Sequence, residues 1–154
     1  MRITTKGRYA LRALANLAAT SNGKPKPIKT IAKEENISPE FLEQIFFKLK
    51  KADVIDSVRG PGGGFIFHRT PESITVKDIF LAVDEGLDLT PCTACTPPDG
   101  DDPCDRMEDC IVHLVWQDIS DHILSYLDSI TLATVLEKNS ENIDRLLERT
   151  SGTT

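Results

Sequence analysis

The first 51 residues show a helical pattern of apolar positions that breaks twice. In TTKGRYALRALANLAA, with Thr4 or Thr5 as the N-cap, the apolar residues at helical spacing are Tyr9, Leu11, Leu14, Leu17 and Ala18. PIKTIAKEEN predicts a second, shorter helix. A third helix is predicted from Pro39, with Ser38 as its N-cap. Its core-facing side is predicted to consist of Leu42, Ile45, Phe46 and Leu49.

The second and third helices are joined by the short connection NIS, and the third helix is polar on its outer face. That face carries Glu40, Glu43, Gln44, Lys48 and Lys51. Two short helices with a tight turn between them are typical of a helix-turn-helix. In VIDSVRGPGGGFIFH, β-forming residues flank a glycine-rich centre, which predicts a hairpin. A hairpin in this position is a wing, so the pattern predicts a winged helix-turn-helix.

The tip of the predicted wing combines a positive charge with glycine-rich backbone. Arg59 precedes the run Gly60-Pro61-Gly62-Gly63-Gly64. Glycine permits positive φ and a close approach of the backbone to a partner. An arginine at the base of such a tip can reach into a narrow minor groove, where negative potential is concentrated. We predict Arg59, Gly60 and Gly62 as DNA contacts, the alternative being an ordinary hairpin loop.

The second half of the chain predicts a short helix, a loop and a long helix. Thr75 and Asp78 fit a capping box at the start of the fourth helix. Residues 84 to about 105 have the composition of a loop, and a 3.6-residue period begins near Glu108. ITLATVLEKN and SENIDRLLERT predict two short final helices. The expected fold is mainly α with a small β-hairpin wing. It divides into a winged domain (1–83), a loop (84–109) and a long helix with C-terminal helices (110–150).

The long helix has a wide apolar stripe. It consists of Val112, Val115, Trp116, Ile119, Ile123, Tyr126, Leu127 and Ile130. Either the winged domain or a second subunit must cover this stripe. We favour a two-fold homodimer, since a helix-turn-helix dimer places its recognition helices about one DNA turn apart.

The net charge of −6 conceals an uneven distribution along the 154 residues. Residues 1–72 carry 13 Lys and Arg against 7 Asp and Glu, whereas residues 73–154 carry 5 against 17. A basic half suits contact with phosphates, although two solvated faces of one domain would show the same asymmetry. Phosphate contacts position a protein without specifying sequence. The candidates for such contacts are Arg2, Lys6, Arg8, Lys48 and Lys51.

The sequence has no apolar run approaching the roughly 18 residues of a membrane span. Its first 23 residues lack the unbroken apolar core of a signal peptide. A cytoplasmic location is therefore expected, where thiols stay reduced. A cysteine cluster in that compartment favours metal binding or redox chemistry over a disulfide framework.

All four cysteines and one of the three histidines fall between residues 92 and 113. The spacing is Cys92-x2-Cys95-x8-Cys104-x5-Cys110-x2-His113. Cys110 and His113 lie three residues apart at the predicted start of the long helix, so we expect them to share a face and one metal centre. Zinc accepts three cysteines and a histidine. An iron–sulfur cluster also tolerates imidazole beside thiolates.

A thiol–disulfide switch through Cys92 and Cys95 is a second interpretation. The aspartate-rich surroundings suit a bound cation better than a thiolate nucleophile. They are also too polar for cysteines buried as small hydrophobes. A Cys–His hydrolase would need an oxyanion hole and a substrate cleft, and the sequence indicates neither, so no enzymatic activity is predicted.

Five segments of the chain resemble the IscR/NsrR family of winged-helix iron–sulfur regulators. They are MRITTKGRYALRAL, FLEQIFFKLKKADVIDSVRGPGGGF, AVDEGLD, CIVHLVWQDISDHI and ITLATVL. The resemblance runs from Met1 to about Asn139. It implies a homodimeric DNA-binding regulator, a repressor or an activator, whose output depends on a labile 2Fe–2S cluster and whose long helix forms the dimer.

The resemblance also implies a ligand set. Cys110 and His113 match the family's Cys-x2-His pair, Cys104 matches the middle cysteine, and Cys92 matches the first. This sequence departs from the family through about six added residues between the first and middle cysteines and through the extra Cys95, which is an alternative first ligand. NsrR-like relatives hold a 4Fe–4S cluster on three cysteines, which is the alternative cofactor, whereas the histidine favours 2Fe–2S.

For DNA, the resemblance places Glu43 at a recognition-helix acid and Arg59 at the wing arginine. A carboxylate accepts a hydrogen bond from cytosine N4, so Glu43 would favour sites with that base and disfavour others. Gln44 lies beside Glu43 on the predicted outer face and completes the set of predicted DNA contacts.

Overall fold

The computed structural model describes residues 2–93, 104, 106 and 108–152. Within these residues, two short 3-10 turns lie at Pro71–Ser73 and Pro91–Thr93. The helices and strands are α1 (Thr5–Thr20), α2 (Ile28–Glu35), α3 (Pro39–Lys51), β1 (Ile55–Val58), β2 (Gly64–Phe67), α4 (Val76–Ala82), α5 (His113–Ser129), α6 (Leu132–Lys138) and α7 (Ser140–Ser151). The fold is mainly α with a two-stranded hairpin, as the sequence predicts.

Helices α1, α2 and α3 pack around a shared apolar core. The four residues predicted to form the inner face of α3 are each at most 1% exposed. Burial of one such side chain stabilises the fold by about 1.5–3 kcal/mol. The Ser38 hydroxyl accepts a hydrogen bond from the Phe41 N–H at 3.2 Å and so caps α3. The predicted helix-turn-helix is confirmed, with α3 as its second helix.

Strands β1 and β2 are antiparallel, and the segment before α2 pairs with β2 near the loop end of the hairpin. Lys26 and Phe65 exchange backbone hydrogen bonds of 3.0 and 2.8 Å. At Gly64 a Cβ would lie 2.3 Å from the Lys26 carbonyl, so glycine permits this close approach. The buried Lys26 ammonium pairs with Glu34 of α2 at 2.5 Å. The wing is therefore fixed in position relative to the helix-turn-helix.

The start of α4 and the start of α6 meet at the edge of the winged domain. Thr75 and Asp78 form the predicted capping box, with bonds of 3.0 and 3.1 Å. The Leu132 N–H donates to the Ile74 carbonyl at 2.8 Å, and the Leu132 side chain is fully buried. The core of the molecule thus includes residues from beyond position 83.

Helix α5 begins at His113, so the start predicted near Glu108 is wrong. The backbone before it closes turns instead of helical bonds. The Asp109 N–H donates to the Arg106 carbonyl at 3.1 Å, and the His113 N–H donates to the Cys110 carbonyl at 3.2 Å. Cys110 therefore lies in a turn ahead of α5 and does not share a helix face with His113.

Much of the apolar surface at and just before α5 is exposed. The C-terminal part of α5 packs on the winged domain through Leu124, Leu127 and Ile130. The exposed residues are Ile111, Val112, Leu114, Val115, Trp116, Ile119 and Tyr126. The winged domain of the same chain thus covers only the C-terminal part of the predicted stripe. Among the described helices, none has the length and apolar character that a membrane crossing requires.

Candidate nucleic-acid interface and cysteine site

The outer face of α3 presents side chains that have no role in the core. Glu43 and Gln44 are both exposed. Neither side chain forms a hydrogen bond or ion pair with the residues that the structure describes. They lie one turn before Phe47, which is 69% exposed. This face can therefore contact a partner without disturbing the packing of α3.

Lys48 of α3 is already engaged in an ion pair. Its ammonium lies 2.5 Å from the Asp84 carboxylate, and the Lys6 ammonium donates to the Asp84 carbonyl at 3.4 Å. The hydrogen bond from Lys48 lowers the pKa of Asp84, and the charges of Lys48, Lys6 and Lys51 lower it further. Asp84 is consequently ionised at neutral pH. Three predicted phosphate contacts thus lie near Asp84, and Lys48 would have to exchange the Asp84 carboxylate for a DNA phosphate.

The wing tip is exposed and its turn requires glycine. Gly60 and Gly62 have φ values of 96° and 73°, in the region that favours glycine. The Gly63 N–H donates to the Gly60 carbonyl at 2.9 Å and closes the turn. Arg59 is exposed at its base. The glycines thus shape the tip, and the arginine is the group there that can reach a partner.

Glu85, which the sequence analysis did not identify, caps α1 from the loop after α4. Thr4 is the N-cap residue, but its side chain does not cap the helix. The Glu85 carboxylate instead accepts from the Gly7 N–H at 3.0 Å, the Thr4 N–H at 2.8 Å and the Thr4 hydroxyl at 2.6 Å. Glu85 is only 4% exposed. Together Asp84 and Glu85 connect the start of the cysteine-containing loop to α1 and α3.

Three of the predicted cysteine ligands lie in the described part of the segment that precedes α5. Cys92 lies half-buried in the Pro91–Thr93 turn, which contacts α5, and its sulfur is 3.1 Å from the Thr90 hydroxyl. Cys104 is exposed, and Cys110 is half-buried just ahead of α5. All three are free thiols. Cys95 lies outside the described residues, so its prediction as an alternative ligand stays open.

His113 has an unusual environment for a histidine at a helix start. Its Nδ1 is buried and has no hydrogen-bond partner among the described residues. An unpaired buried polar atom costs about 1–3 kcal/mol, which a metal bond would offset. The described residues contain no group of three or more His, Cys, Asp or Glu side chains assembled for a metal. The donor types nevertheless fit a cluster held by thiolates and imidazole, or zinc.

Two residues of interest were missed for different reasons. Glu85 lies within the AVDEGLD segment, but its bonds reach a helix 78 residues away, which no local pattern reveals. Phe47 could have been identified from the sequence, because it is an apolar residue on the outer face of the predicted third helix. Its spacing from Glu43 and Gln44 places all three on one face.

A helix-turn-helix with a wing, joined to a long helix that leaves an apolar face open, defines a winged-helix transcriptional regulator. The chain belongs to the Rrf2 family, described as iron-dependent transcriptional regulators, whose sequence profile matches residues 3–138. The HTH-type transcriptional regulator IscR of Escherichia coli (strain K12 / DH10B) is 38% identical over 144 residues, which are 94% of this chain and 85% of that protein. These relatives are regulators and not enzymes, as predicted.

Solved structures show the same relationship. T. potens IscR matches with a TM-score of 0.70 and 32% identity, covering 92% of this chain and 90% of its own. CymR, the global cysteine regulator of B. subtilis, matches with a TM-score of 0.67 and 30% identity, covering 90% of this chain and 98% of its own. An oxidized form of Staphylococcus aureus CymR matches with a TM-score of 0.65 and 29% identity, covering 89% of this chain and 97% of its own.

Proposed function

We propose that this chain binds operator DNA through residues 1–83, with α3 in the major groove and the wing beside a minor groove. The open outer face of α3 supports this assignment. Glu43 and Gln44 would read base edges, and Arg59 would enter the narrow groove. Phosphate contacts would come from Lys6, Arg8, Lys48 and Lys51, which position the protein on the duplex.

We further propose that residues 110–150 form a two-fold homodimer. The supporting observation is the exposed apolar stripe on α5, where Trp116 and Tyr126 are 41% and 60% exposed. Burial of about 25 cal/mol per Å² of such surface would favour pairing with a second copy. A two-fold dimer would present two copies of α3 to adjacent turns of DNA.

Selection from a randomised duplex pool tests DNA binding and dimerisation together. Full-length protein should enrich a sequence with two-fold symmetry, whose half-sites are about one helical turn apart, centre to centre. Binding to the selected operator should weaken steeply with salt, because phosphate contacts release counterions. Enrichment of no sequence would overturn the DNA proposal, and a single unrepeated half-site would overturn the dimer.

We propose that the loop at 84–109 and the start of α5 hold a 2Fe–2S cluster. The ligands would be Cys92, Cys104, Cys110 and His113, with Cys95 as the alternative to Cys92. The unpartnered, buried Nδ1 of His113 carries this proposal. When bound, such a cluster supplies a redox centre whose loss or reduction can be sensed. The chain itself contributes the donors and, through Asp84 and Glu85, a fixed connection from the loop to α1 and α3.

Two other functions of the same residues remain as candidates. The similarity to CymR, of which an oxidized form has been solved, favours a sensor that uses thiols directly. The exposed thiol of Cys104 would suit that chemistry. A structural zinc ion held by the same donors is the other candidate. A 4Fe–4S cluster on the three cysteines is the alternative form of the iron–sulfur proposal.

The absorption spectrum of anaerobically purified protein tests the cluster. We expect a brown protein with visible charge-transfer absorption and equal amounts of iron and acid-labile sulfide. Colourless protein that contains zinc would show a structural zinc site. Colourless protein without metal, whose DNA affinity changes on oxidation and recovers with a thiol reductant, would support the thiol sensor. Either colourless outcome would overturn the cluster.

A further inference from the structure

Phe47 is a large apolar side chain at an exposed position of α3. It is 69% exposed, while the neighbouring Phe46 is fully buried. Phe46 stacks edge-on against Phe65, whereas Phe47 has no aromatic partner among the described residues. The intramolecular packing of α3 therefore does not account for a phenyl ring at this position.

The charges around Phe47 indicate what would cover it. The last turn of α3 contains Lys48, which is paired with Asp84, and also Lys50 and Lys51, so the ring stands at the edge of a surface with more ammonium groups than carboxylates. An apolar protein surface over Phe47 would have to desolvate these ammonium groups at a cost. A DNA major groove instead offers phosphates at its rims and apolar methyl groups on its floor.

We infer that Phe47 contacts the 5-methyl group of a thymine in each operator half-site. This inference rests on the proposal that α3 enters the major groove. Thymine carries an exposed methyl group in that groove, and phenylalanine is among the side chains that recognise it. Glu43 and Phe47 lie one helical turn apart, about 5–6 Å, whereas stacked base pairs are about 3.4 Å apart. The thymine should therefore lie one or two base-pair steps from the base that Glu43 reads.

Uracil substitution in DNA isolates this contact, because it removes the methyl group and leaves every hydrogen-bonding atom in place. Each thymine of the selected operator is replaced by deoxyuridine, symmetrically in both half-sites. For the wild-type protein we expect the substitution at one thymine position to weaken binding by about four-fold for each methyl group removed. This is the effect of burying one methylene group. The other thymines should show no change of that size.

Two variants test whether Phe47 is the residue that contacts the methyl group. Phe47→Ser should bind the thymine and uracil operators equally, while Phe47→Leu keeps an apolar side chain and should retain part of the preference. Because Phe47 is exposed, both variants should keep the wild-type melting temperature. Equal uracil sensitivity in wild type and Phe47→Ser would assign the methyl contact to another residue and overturn the inference.

The outcomes separate this inference from the proposed function. A wild-type protein that binds its operator but shows no uracil-sensitive position overturns the inference and leaves DNA recognition intact. The same result would direct attention to a protein partner for Phe47. A wild-type protein that selects no operator overturns the proposed function itself, and the inference fails with it.

Discussion

Replacing Cys110 by alanine is expected to remove the visible absorption and the bound iron of the anaerobically purified protein. The variant lacks a proposed ligand, and cysteine thiolates are the main ligands of iron–sulfur clusters. Loss of a residue that only supports a ligand lowers metal affinity by about 10–100-fold. Loss of Cys110 itself should exceed about 100-fold. Iron per monomer and the visible spectrum after anaerobic reconstitution measure this effect.

Controls separate ligand loss from unfolding. Cys110 lies in a turn ahead of α5 and is not part of the core, so the variant should keep the circular dichroism spectrum of the metal-free wild type. Cys95→Ala removes one thiol in the same way: retention of the cluster would leave Cys92 as the first ligand, and its loss would assign that position to Cys95. His113→Cys should also keep it, at a lower potential, because a thiolate donates more negative charge than imidazole. A Cys110→Ala protein with wild-type iron content would remove Cys110 from the ligand set.

Replacing Glu85 by alanine is expected to lower the free energy of unfolding by about 2–4 kcal/mol. The change leaves the Thr4 N–H, the Thr4 hydroxyl and the Gly7 N–H without their acceptor. The buried Gly7 N–H left unpaired costs about 1–3 kcal/mol, whereas the two donors of the exposed Thr4 lose their bonds to a charged acceptor but can bind water in its place. The α1 N-terminus also loses the negative charge that its dipole favours. Urea unfolding of the metal-free protein at fixed concentration gives the value.

Glu137→Ala provides a matched control, since it removes the same charge from an exposed position on α6. It should change the free energy of unfolding by no more than about 0.5 kcal/mol. A comparable loss in both variants would mean that net charge, and not the cap on α1, determines the effect of Glu85.

The contact between Gly7 and Glu85 can be tested by a double-mutant cycle. A Cβ on Gly7 would lie 2.3 Å from the Glu85 carboxylate, which three hydrogen bonds hold in place, so Gly7→Ala alone should destabilise the protein. In the Glu85→Ala background the obstruction is gone. Alanine should then stabilise α1 by about 0.5–1 kcal/mol relative to glycine. An equal cost of Gly7→Ala in both backgrounds would contradict the proposed packing.

The helix limits in the winged domain could be predicted because they depend on neighbouring residues. Ser38 caps α3, and Thr75 and Asp78 cap α4, through bonds that span three residues. The start of α5 could not be predicted in this way. The apolar period continues through Ile111 and Val112, although the backbone there closes turns. The apolar period shows which side chains are apolar, but it does not show at which residue the helical hydrogen bonds begin.

For the candidate cysteine site, the sequence predicted which residues are candidate ligands but not how they are arranged in space. Spacing and resemblance singled out Cys92, Cys104, Cys110 and His113, because their order along the chain is visible. Their assembly is a property of the folded chain, and the described residues do not form a metal-holding group. The buried nitrogen of His113 was likewise invisible, since burial depends on contacts made by distant segments.

The winged helix-turn-helix, the inner face of α3 and the glycine turn of the wing could all be predicted from local sequence. Each of these follows from interactions between residues close together in the chain. Other contacts join distant parts of the chain: Glu85 caps a helix 78 residues away, and Asp84 pairs with a lysine 36 residues away. The exposure of Phe47 on α3 and of the apolar stripe on α5 also depends on the folded chain. Whether a side chain is buried or exposed depends on how the whole chain packs, and no local sequence pattern contains that information.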